Sequence, residues 1–150
     1  MGLDLDKIIF LKKNEIKSIK KIVIFSTGVV CQKFIKNFDK SKILYIVDNN
    51  RSLWGTKFEG IKVENPKKLK KLKKNTKVVI MTTSFTDVIK QIKNINKSLT
   101  PRVSHYLESI IKIKYLQNLK KTFLISSGLP AAKKKDTGGG LYEVNLKGPN

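Results

Sequence analysis

The chain has 150 residues, of which 40% are hydrophobic, and a formal net charge of +21. This length predicts one domain. Folding of a chain this long buries about 68–70% of the surface that the unfolded chain exposes. No apolar run approaches the ~20 residues that span a bilayer, and the opening MGLDLDKIIFLKK has acids where a secretory signal has basic residues. A single cysteine, Cys31, excludes an internal disulfide and predicts a cytoplasmic location.

The positive charge alone favours a nucleic acid or another polyanion as partner. However, all but two of the 32 basic residues are lysines, the exceptions being Arg51 and Arg102. Sites that grip phosphate or read bases favour the planar arginine fork. Lysine, isoleucine and asparagine are abundant together, as A/T-rich codons would produce. We therefore expect nucleic acid not to be a partner, and we keep a lysine-rich, polyanion-binding module as an alternative.

The first half of the chain predicts a strand, a helix and a second strand after a helical lead-in over residues 1–20. The apolar run over 21–26 is continuous, which is typical of a strand covered on both faces. A helix is predicted over 29–38 and a strand over 43–47. Residues 48–60 are rich in turn formers, with a tight turn between short extended pieces at 58–61.

Further elements follow in the same alternation. Asn65 and Pro66 predict a helix start by capping and by the fixed proline φ, with the lysine-rich helix running to about residue 74. A buried strand is predicted over 77–81 and a helix over 85–96. A short fourth strand over 101–104 precedes a helix over 106–119. The alternation predicts an α/β fold, a three-layer sandwich with a short parallel sheet of four to five strands.

The character of the sequence changes near residue 121. FLISSGLP predicts a strand and a turn, three glycines at 138–140 break regular structure, and LYEVNL alternates. We therefore expect three parts, the lead-in at 1–20, the α/β domain at 21–120 and a C-terminal extension at 121–150. The extension is interpreted as the first strands of a β-domain that the chain does not complete.

A binding site is predicted at the carboxyl ends of the strands, where open parallel sheets bind ligands. Gly28 follows the first strand and Asp48 follows the second, 20 positions later. That spacing suits a phosphate at a helix N-terminus and a carboxylate at a ribose hydroxyl. Of the dinucleotide fingerprint G-x-G-x-x-G only the central glycine is present, because Ser26 and Cys31 replace the others. This disfavours a tightly bound nicotinamide or flavin and leaves a nucleotide or nucleotide-sugar.

Ten residues form the predicted ligand site, and each has a purely structural alternative. The turn at Gly28 also serves as a plain connection, Asp48 also suits an Asx-turn, and the residues at 82–84 also cap a helix. The ligand, whose identity the sequence leaves open, is assigned to Ser26, Thr27, Gly28, Val29, Val30, Asp48, Asn49, Thr82, Thr83 and Ser84.

No catalytic residue is predicted. Cys31 lies on a helix N-terminal turn, where thiol pKa values fall, but a buried, inert cysteine is the favoured interpretation. His105 has no identified partner and is interpreted as structural. Trp54 and Phe58 form either a ligand-facing pair or, as favoured, a hydrophobic cluster of the loop. No Cys, His, Asp and Glu set has the spacing of metal ligands, so no metal site is predicted.

The residues from the first strand to position 100 resemble a known group. STG after the first strand, VDNNRSLWGTKFEG after the second, VENP and KVVIMTTS are similar to Rossmann-like accessory domains of bacterial surface-glycan biosynthesis enzymes. Such domains stand beside sugar N-acetyltransferases, FkbM-type methyltransferases and glycosyltransferases. The segment GGGLYEVNL resembles the start of a β-propeller blade.

The resemblance implies a nucleotide or nucleotide-sugar pocket at the carboxyl edge of the sheet, with Gly28 at the phosphates and Asp48 at ribose or sugar hydroxyls. It also implies a catalytic domain as partner in a larger protein. We therefore expect a non-catalytic, cytoplasmic nucleotide-sugar-binding domain that serves glycan biosynthesis. The alternatives are a small NAD- or S-adenosylmethionine-dependent enzyme domain and the polyanion-binding module.

Overall fold

The apolar runs predicted as strands form the centre of a six-stranded sheet in the computed structural model, which describes residues 8–126. The order across the sheet is β3-β4-β2-β1-β5-β6, and every pair is parallel except β3 with β4. The predicted α/β fold is therefore confirmed, and the sheet, predicted as parallel, is mostly parallel. The strands are β1 (Ile22–Phe25), β2 (Ile43–Val47), β3 (Lys57–Phe58), β4 (Ile61–Glu64), β5 (Lys77–Ile80) and β6 (Arg102–Val103).

The predicted number of four to five strands is wrong, because the turn at 58–61 belongs to the sheet. Glu59 and Gly60 have φ angles of 52° and 81°, the conformation that a two-residue hairpin loop requires. This loop folds β3 back antiparallel to β4, and β4 pairs in parallel with β2. With only two residues, β3 is too short to show an alternating pattern in the sequence.

The helices follow the predicted order with two differences. The lysine-rich helix is a 3₁₀ helix, Pro66–Lys71, whose N-cap Asn65 accepts a hydrogen bond from the Lys67 amide as predicted. The last helix continues to Ser126, so the strand predicted from residue 123 is wrong where it overlaps this helix. A short apolar run does not distinguish helix from strand by itself. The helices are α1 (Lys13–Ser18), α2 (Val29–Lys36), α3 (Phe85–Ile95) and α4 (Glu108–Ser126).

Two hydrophobic cores lie on the two faces of the sheet, because successive strand residues point to opposite sides. On one face, Ile22 and Ile24 of β1 pack with Phe34 and Ile35 of α2. On the other, Val23 and Phe25 belong to the core that includes residues of α3 and of the 3₁₀ helix Pro66–Lys71. The sheet is therefore covered by helical segments on both sides, which explains the continuous apolar character of its central strands.

The chain divides into two compact units between Ile111 and Lys112. The first contains the sheet and its helices, and the described part of the second is the remainder of α4. Within residues 8–126 no helix is long and apolar enough to cross a membrane. Beyond residue 126, the predicted C-terminal β-segment lies outside the described residues. The predicted domain boundaries at 20 and 120 stay predictions.

Candidate functional site

The carboxyl ends of the central strands bring the three predicted site segments to one edge of the sheet. β1 lies between β2 and β5, so residues 26–30, 48–49 and 82–84 follow adjacent strands. The chain passes outward from β1 through β2 to β4 and then returns to β5 on the other side of β1. Such a reversal of strand order is the place at which open α/β sheets bind ligands.

The turn after β1 has a backbone that ordinary side chains rarely adopt. Ser26 has a φ of 86°, and Gly28, the N-cap of α2, has φ 115° and ψ −168°. The latter combination is almost confined to glycine. A Cβ built on Gly28 would meet no heavy atom within 4 Å. Glycine is therefore needed for the conformation, and the space beside its backbone is open.

The first turn of α2 begins at Gly28 and carries backbone donors. The first amides of any helix have no partner within the helix, and they carry the positive end of the helix dipole. Gly28 has no side chain to cap them, and no acidic residue occupies the first turn. Val29 is 81% exposed, which is unusual for a valine beside a buried sheet. The turn is chemically suited to receive an anion.

Asp48 connects the turn to the loop after β2. Its Oδ2 accepts hydrogen bonds from the amide and the hydroxyl of Thr27, at 2.9 and 3.0 Å. Its Oδ1 accepts the amide of Asn50 at 2.8 Å, so the Asx-turn alternative is confirmed. A carboxylate has about four acceptor sites, and these three bonds leave one of them on Oδ1. Asp48 therefore shapes the turn, and one acceptor site of its carboxylate is not used by these three bonds.

The third segment offers hydroxyl groups at the start of α3. Ser84 occupies the N-cap position of that helix, but its side chain makes no capping hydrogen bond. Thr82 accepts the Ser84 amide on its Oγ1 at 3.2 Å. The capping interpretation is thus confirmed for the position of Ser84 but not for its hydroxyl. Thr83 and Ser84 are exposed.

A cavity of about 630 Å³ that is wide open to solvent lies next to this edge, and of the ten predicted residues only Asn49 lines it. We call it the Trp54 cavity. Its walls come from the loop after β2, from the start of the 3₁₀ helix Pro66–Lys71 and from α3. The lining residues are Asn49, Arg51, Trp54, Asn65, Pro66, Lys67, Asp87, Lys90, Gln91, Asn94 and Ile95.

Sequence reasoning missed most of the Trp54 cavity. Trp54 and Phe58, which were favoured as one hydrophobic cluster, have different surroundings. Phe58 packs against the core on the α2 side, whereas Trp54 lines the cavity. The available signal was the proximity of Trp54 to Asp48, whose carbonyl oxygen accepts the indole Nε1–H at 2.7 Å. The contribution of α3 had no signal in the spacing of the sequence.

The two side chains considered for catalysis both have shifted pKa values. Cys31 is fully buried, and burial, with smaller effects of the Glu59 and Asp48 charges, raises the pKa of its thiol to about 12. The pKa of His105 is lowered by burial and by the positive charge of Lys13, against a smaller opposite effect of Glu108. Among residues 8–126, no three His, Cys, Asp or Glu side chains are grouped to hold a metal ion.

A family model named C2185-like, N-terminal, matches residues 18–100, more than half of the chain. The chain belongs to the C2185-like, N-terminal family. The matched range begins before β1 and ends after α3, so it includes all three site segments and the walls of the Trp54 cavity.

Other known proteins add little to the family assignment. No curated protein matches the chain at a significant level. One similar solved structure is that of RSP in complex with β-NAD⁺ and operator DNA, at 15% identity and a TM-score of 0.46. The match covers 79% of this chain and 68% of that one. A likeness this weak supports no inference about fold, ligand or partner.

Proposed function

We propose that the sheet domain is a Rossmann-like module that binds a nucleotide or nucleotide-sugar and is not catalytic by itself. The observation that carries the proposal is the backbone of Gly28, held at φ 115° beside open space at the crevice of the sheet. The five parallel strands of the sheet, counted in chain order, lie side by side in the order third, second, first, fourth, fifth. Doubly wound nucleotide-binding sheets have this order.

The phosphate end of the ligand is assigned to the first turn of α2. Free backbone amides and the helix dipole attract a negative charge, and the missing Cβ of Gly28 permits a close approach. The exposed hydroxyls of Thr83 and Ser84 are available to bind further phosphate or sugar oxygens. The proposed site thus consists of backbone amides and a few polar side chains.

The hydroxyl-bearing end is assigned to Asp48. Three of its acceptor sites are used inside the protein, and the remaining one on Oδ1 suits a single ribose or sugar hydroxyl. This is weaker recognition than a bidentate grip on a ribose. It favours a modest affinity and agrees with the degenerate glycine fingerprint.

A role without catalysis is supported by the chemistry of the available groups. A thiol with a pKa of about 12 is almost wholly protonated near neutral pH and is a poor nucleophile. Cys31 also stands where the fingerprint of dinucleotide-binding enzymes has its third glycine. We therefore prefer the binding module to an NAD- or S-adenosylmethionine-dependent enzyme domain.

The biological setting of this proposal rests on the sequence resemblance. We place the domain in the cytoplasm, beside a catalytic domain of surface-glycan biosynthesis, because similar accessory domains accompany such enzymes. A single, buried cysteine agrees with a reducing compartment.

A thermal-shift series tests the proposal. The chain is heated with uridine diphosphate, uridine diphosphate N-acetylglucosamine, NAD⁺ or S-adenosylmethionine. A ligand at 100 times its dissociation constant adds about 2.7 kcal/mol of stability. We expect a response to a nucleotide or nucleotide-sugar that Gly28→Val removes and Gly60→Val keeps, since both glycines have positive φ beside open space. A response to none of the four, or one that survives Gly28→Val, contradicts the proposal.

A second candidate function, polyanion binding, is favoured by one surface. A groove of about 530 Å³ is lined by Tyr45, Leu72 and four lysines, at positions 67, 68, 70 and 71. Polyanion binding weakens steeply with salt, with a slope of log K on log salt of about −0.9 per phosphate neutralised on duplex DNA. Binding of duplex DNA with such a slope, abolished by Lys70→Gln with Lys71→Gln, supports this candidate. The expectation that nucleic acid is not a partner stays a prediction until then.

A further inference from the structure

The Trp54 cavity is lined by groups that suit a hydroxyl-rich ring. The indole of Trp54 lines the cavity, and its position is fixed by the Nε1–H hydrogen bond to the Asp48 carbonyl oxygen at 2.7 Å. Four residues with side-chain amides, Asn49, Asn65, Gln91 and Asn94, also line the cavity. Aromatic faces pack on the apolar faces of sugar rings, and amides both donate and accept hydrogen bonds with hydroxyl groups.

Two of the lining amides hold each other in place. The Nδ2 of Asn49 donates to the Oε1 of Gln91 at 3.0 Å, and the Nε2 of Gln91 donates to the Oδ1 of Asn49 at 2.7 Å. Each amide keeps a second N–H and a second acceptor site for other partners. The pair joins the loop after β2 to α3, so the remaining donors are oriented before a ligand arrives.

The charges in the lining favour a negatively charged ligand. Arg51, whose guanidinium carbon lies 5.8 Å from the centroid of the Trp54 ring, is joined by Lys67 and Lys90. Asp87 is the opposing carboxylate in the lining. A volume of about 630 Å³ falls within the usual range for small-molecule sites.

We propose that the Trp54 cavity binds an anionic monosaccharide, whose charge is a phosphate or a carboxylate group. The inference goes beyond the proposed nucleotide site, with which the cavity shares Asn49, and it does not depend on that site being occupied. A sugar is preferred to a nucleobase because four of the lining residues carry side-chain amides, and several hydroxyl groups use these better than the few polar atoms of a base edge.

The fluorescence of the single tryptophan of the chain tests the inference directly. Glucose 1-phosphate, glucuronate, glucose, inorganic phosphate and adenosine monophosphate are titrated separately. We expect saturable changes with glucose 1-phosphate or glucuronate, and the stronger of the two identifies the charged group. Glucose and inorganic phosphate should bind at least tenfold more weakly.

Two lysines of α3 provide a matched pair of variants. Lys90 lines the cavity, whereas Lys93 on the same helix is not among the lining residues and donates to the Lys97 carbonyl oxygen; both lysines are exposed. Lys90→Gln should weaken binding about two- to fivefold and reduce its salt dependence, and Lys93→Gln should leave it unchanged. Gly28→Val should also leave it unchanged, so a failure of the nucleotide site is distinguished from a failure of this one.

Three results would overturn the inference. The first is the lack of saturation by either anionic sugar below about 10 mM. The second is equal binding of inorganic phosphate, which marks a plain anion site. The third is tighter binding of adenosine monophosphate than of both sugars, which marks a base site.

Discussion

The turn after β1 and the Trp54 cavity lie at the same edge of the sheet but depend on different parts of the chain. The turn is made by consecutive residues, and its chemistry is that of backbone amides around Gly28. The cavity is lined by residues between positions 49 and 95, and two hydrogen bonds between the side chains of Asn49 and Gln91 connect its walls. A backbone site depends on one residue type at one position, whereas a side-chain site can be altered one group at a time.

The largest expected effect concerns the reactivity of the thiol of Cys31. Cys31 lies in the first turn of α2 with its side chain in the core, and burial raises its thiol pKa to about 12. Relative to a free thiol, the thiolate population at pH 8 falls about a thousandfold. We expect labelling by a disulfide reagent to be slow in the folded protein and fast in urea. Rapid labelling without denaturant would mean that the reagent reaches Cys31 in the folded protein, and it would contradict the burial of this side chain.

Asp48 is hydrogen-bonded to both regions, to Thr27 through its side chain and to Trp54 through its backbone carbonyl, so replacing the side chain separates them. Asp48→Ala leaves the Thr27 amide and the Asn50 amide without their acceptor and should cost about 2–3 kcal/mol in the free energy of unfolding. Its carbonyl bond to Trp54 is retained, so sugar binding should fall less than nucleotide binding. Urea denaturation measures the change in the free energy of unfolding. Titrations with a nucleotide and with an anionic sugar compare the two losses of binding.

Asp39→Ala is the control for that variant. Asp39 also accepts an amide and a hydroxyl, both from Ser41, but it is exposed and lies in a short 3₁₀ turn away from the site. Its loss should destabilise the chain less than the loss of Asp48. Equal destabilisation would argue against a special role of Asp48.

The conformation of the turn itself is tested by comparing Gly28→Ala with Gly60→Ala. Both glycines have positive φ and open space around the Cβ position, so each variant should lose about 1–2 kcal/mol from backbone strain alone. Only the first should impair nucleotide binding. A Gly28→Ala variant of unchanged stability would contradict the backbone described for the turn.

A smaller effect is expected from a region that belongs to neither site. Burial opposes ionisation of Glu15, but Lys77 and Arg102 outweigh it and lower the pKa of this carboxyl. Because the folded pKa is lowered, the contribution is present above the unfolded value of about 4.3 and is lost as pH falls through the folded value. Glu15→Gln should therefore remove part of the acid sensitivity of unfolding, less than about 1 kcal/mol, and leave both titrations unchanged. An unaltered acid profile would contradict the ion pairs.

Much of the fold could be predicted because the central strands are marked locally. Continuous apolar runs indicate β1, β2 and β5, and Asn65 with Pro66 indicates the start of a helix. β3 could not be predicted because its pairing depends on a hairpin loop and not on its own two residues. The end of α4 was missed since a short apolar segment suits either helix or strand.

The candidate site could be predicted to the extent that it follows the backbone. Gly28 and Asp48 were found from their positions after strands, and the structure brings their segments together through Thr27. The Trp54 cavity could not be predicted, because no spacing in the sequence relates Asn49 to Gln91, which are 42 residues apart. Such contacts arise only when α3 packs on the sheet.

Backbone amide NMR with uridine diphosphate tests the central claim most directly. If the turn after β1 receives phosphate, the amide signals of Gly28, Val29 and Val30 should shift together and saturate, while that of Gly60 stays in place. Shifts confined to the lysines at 67–71, or a titration in which the amides of 28–30 do not move, would contradict the account.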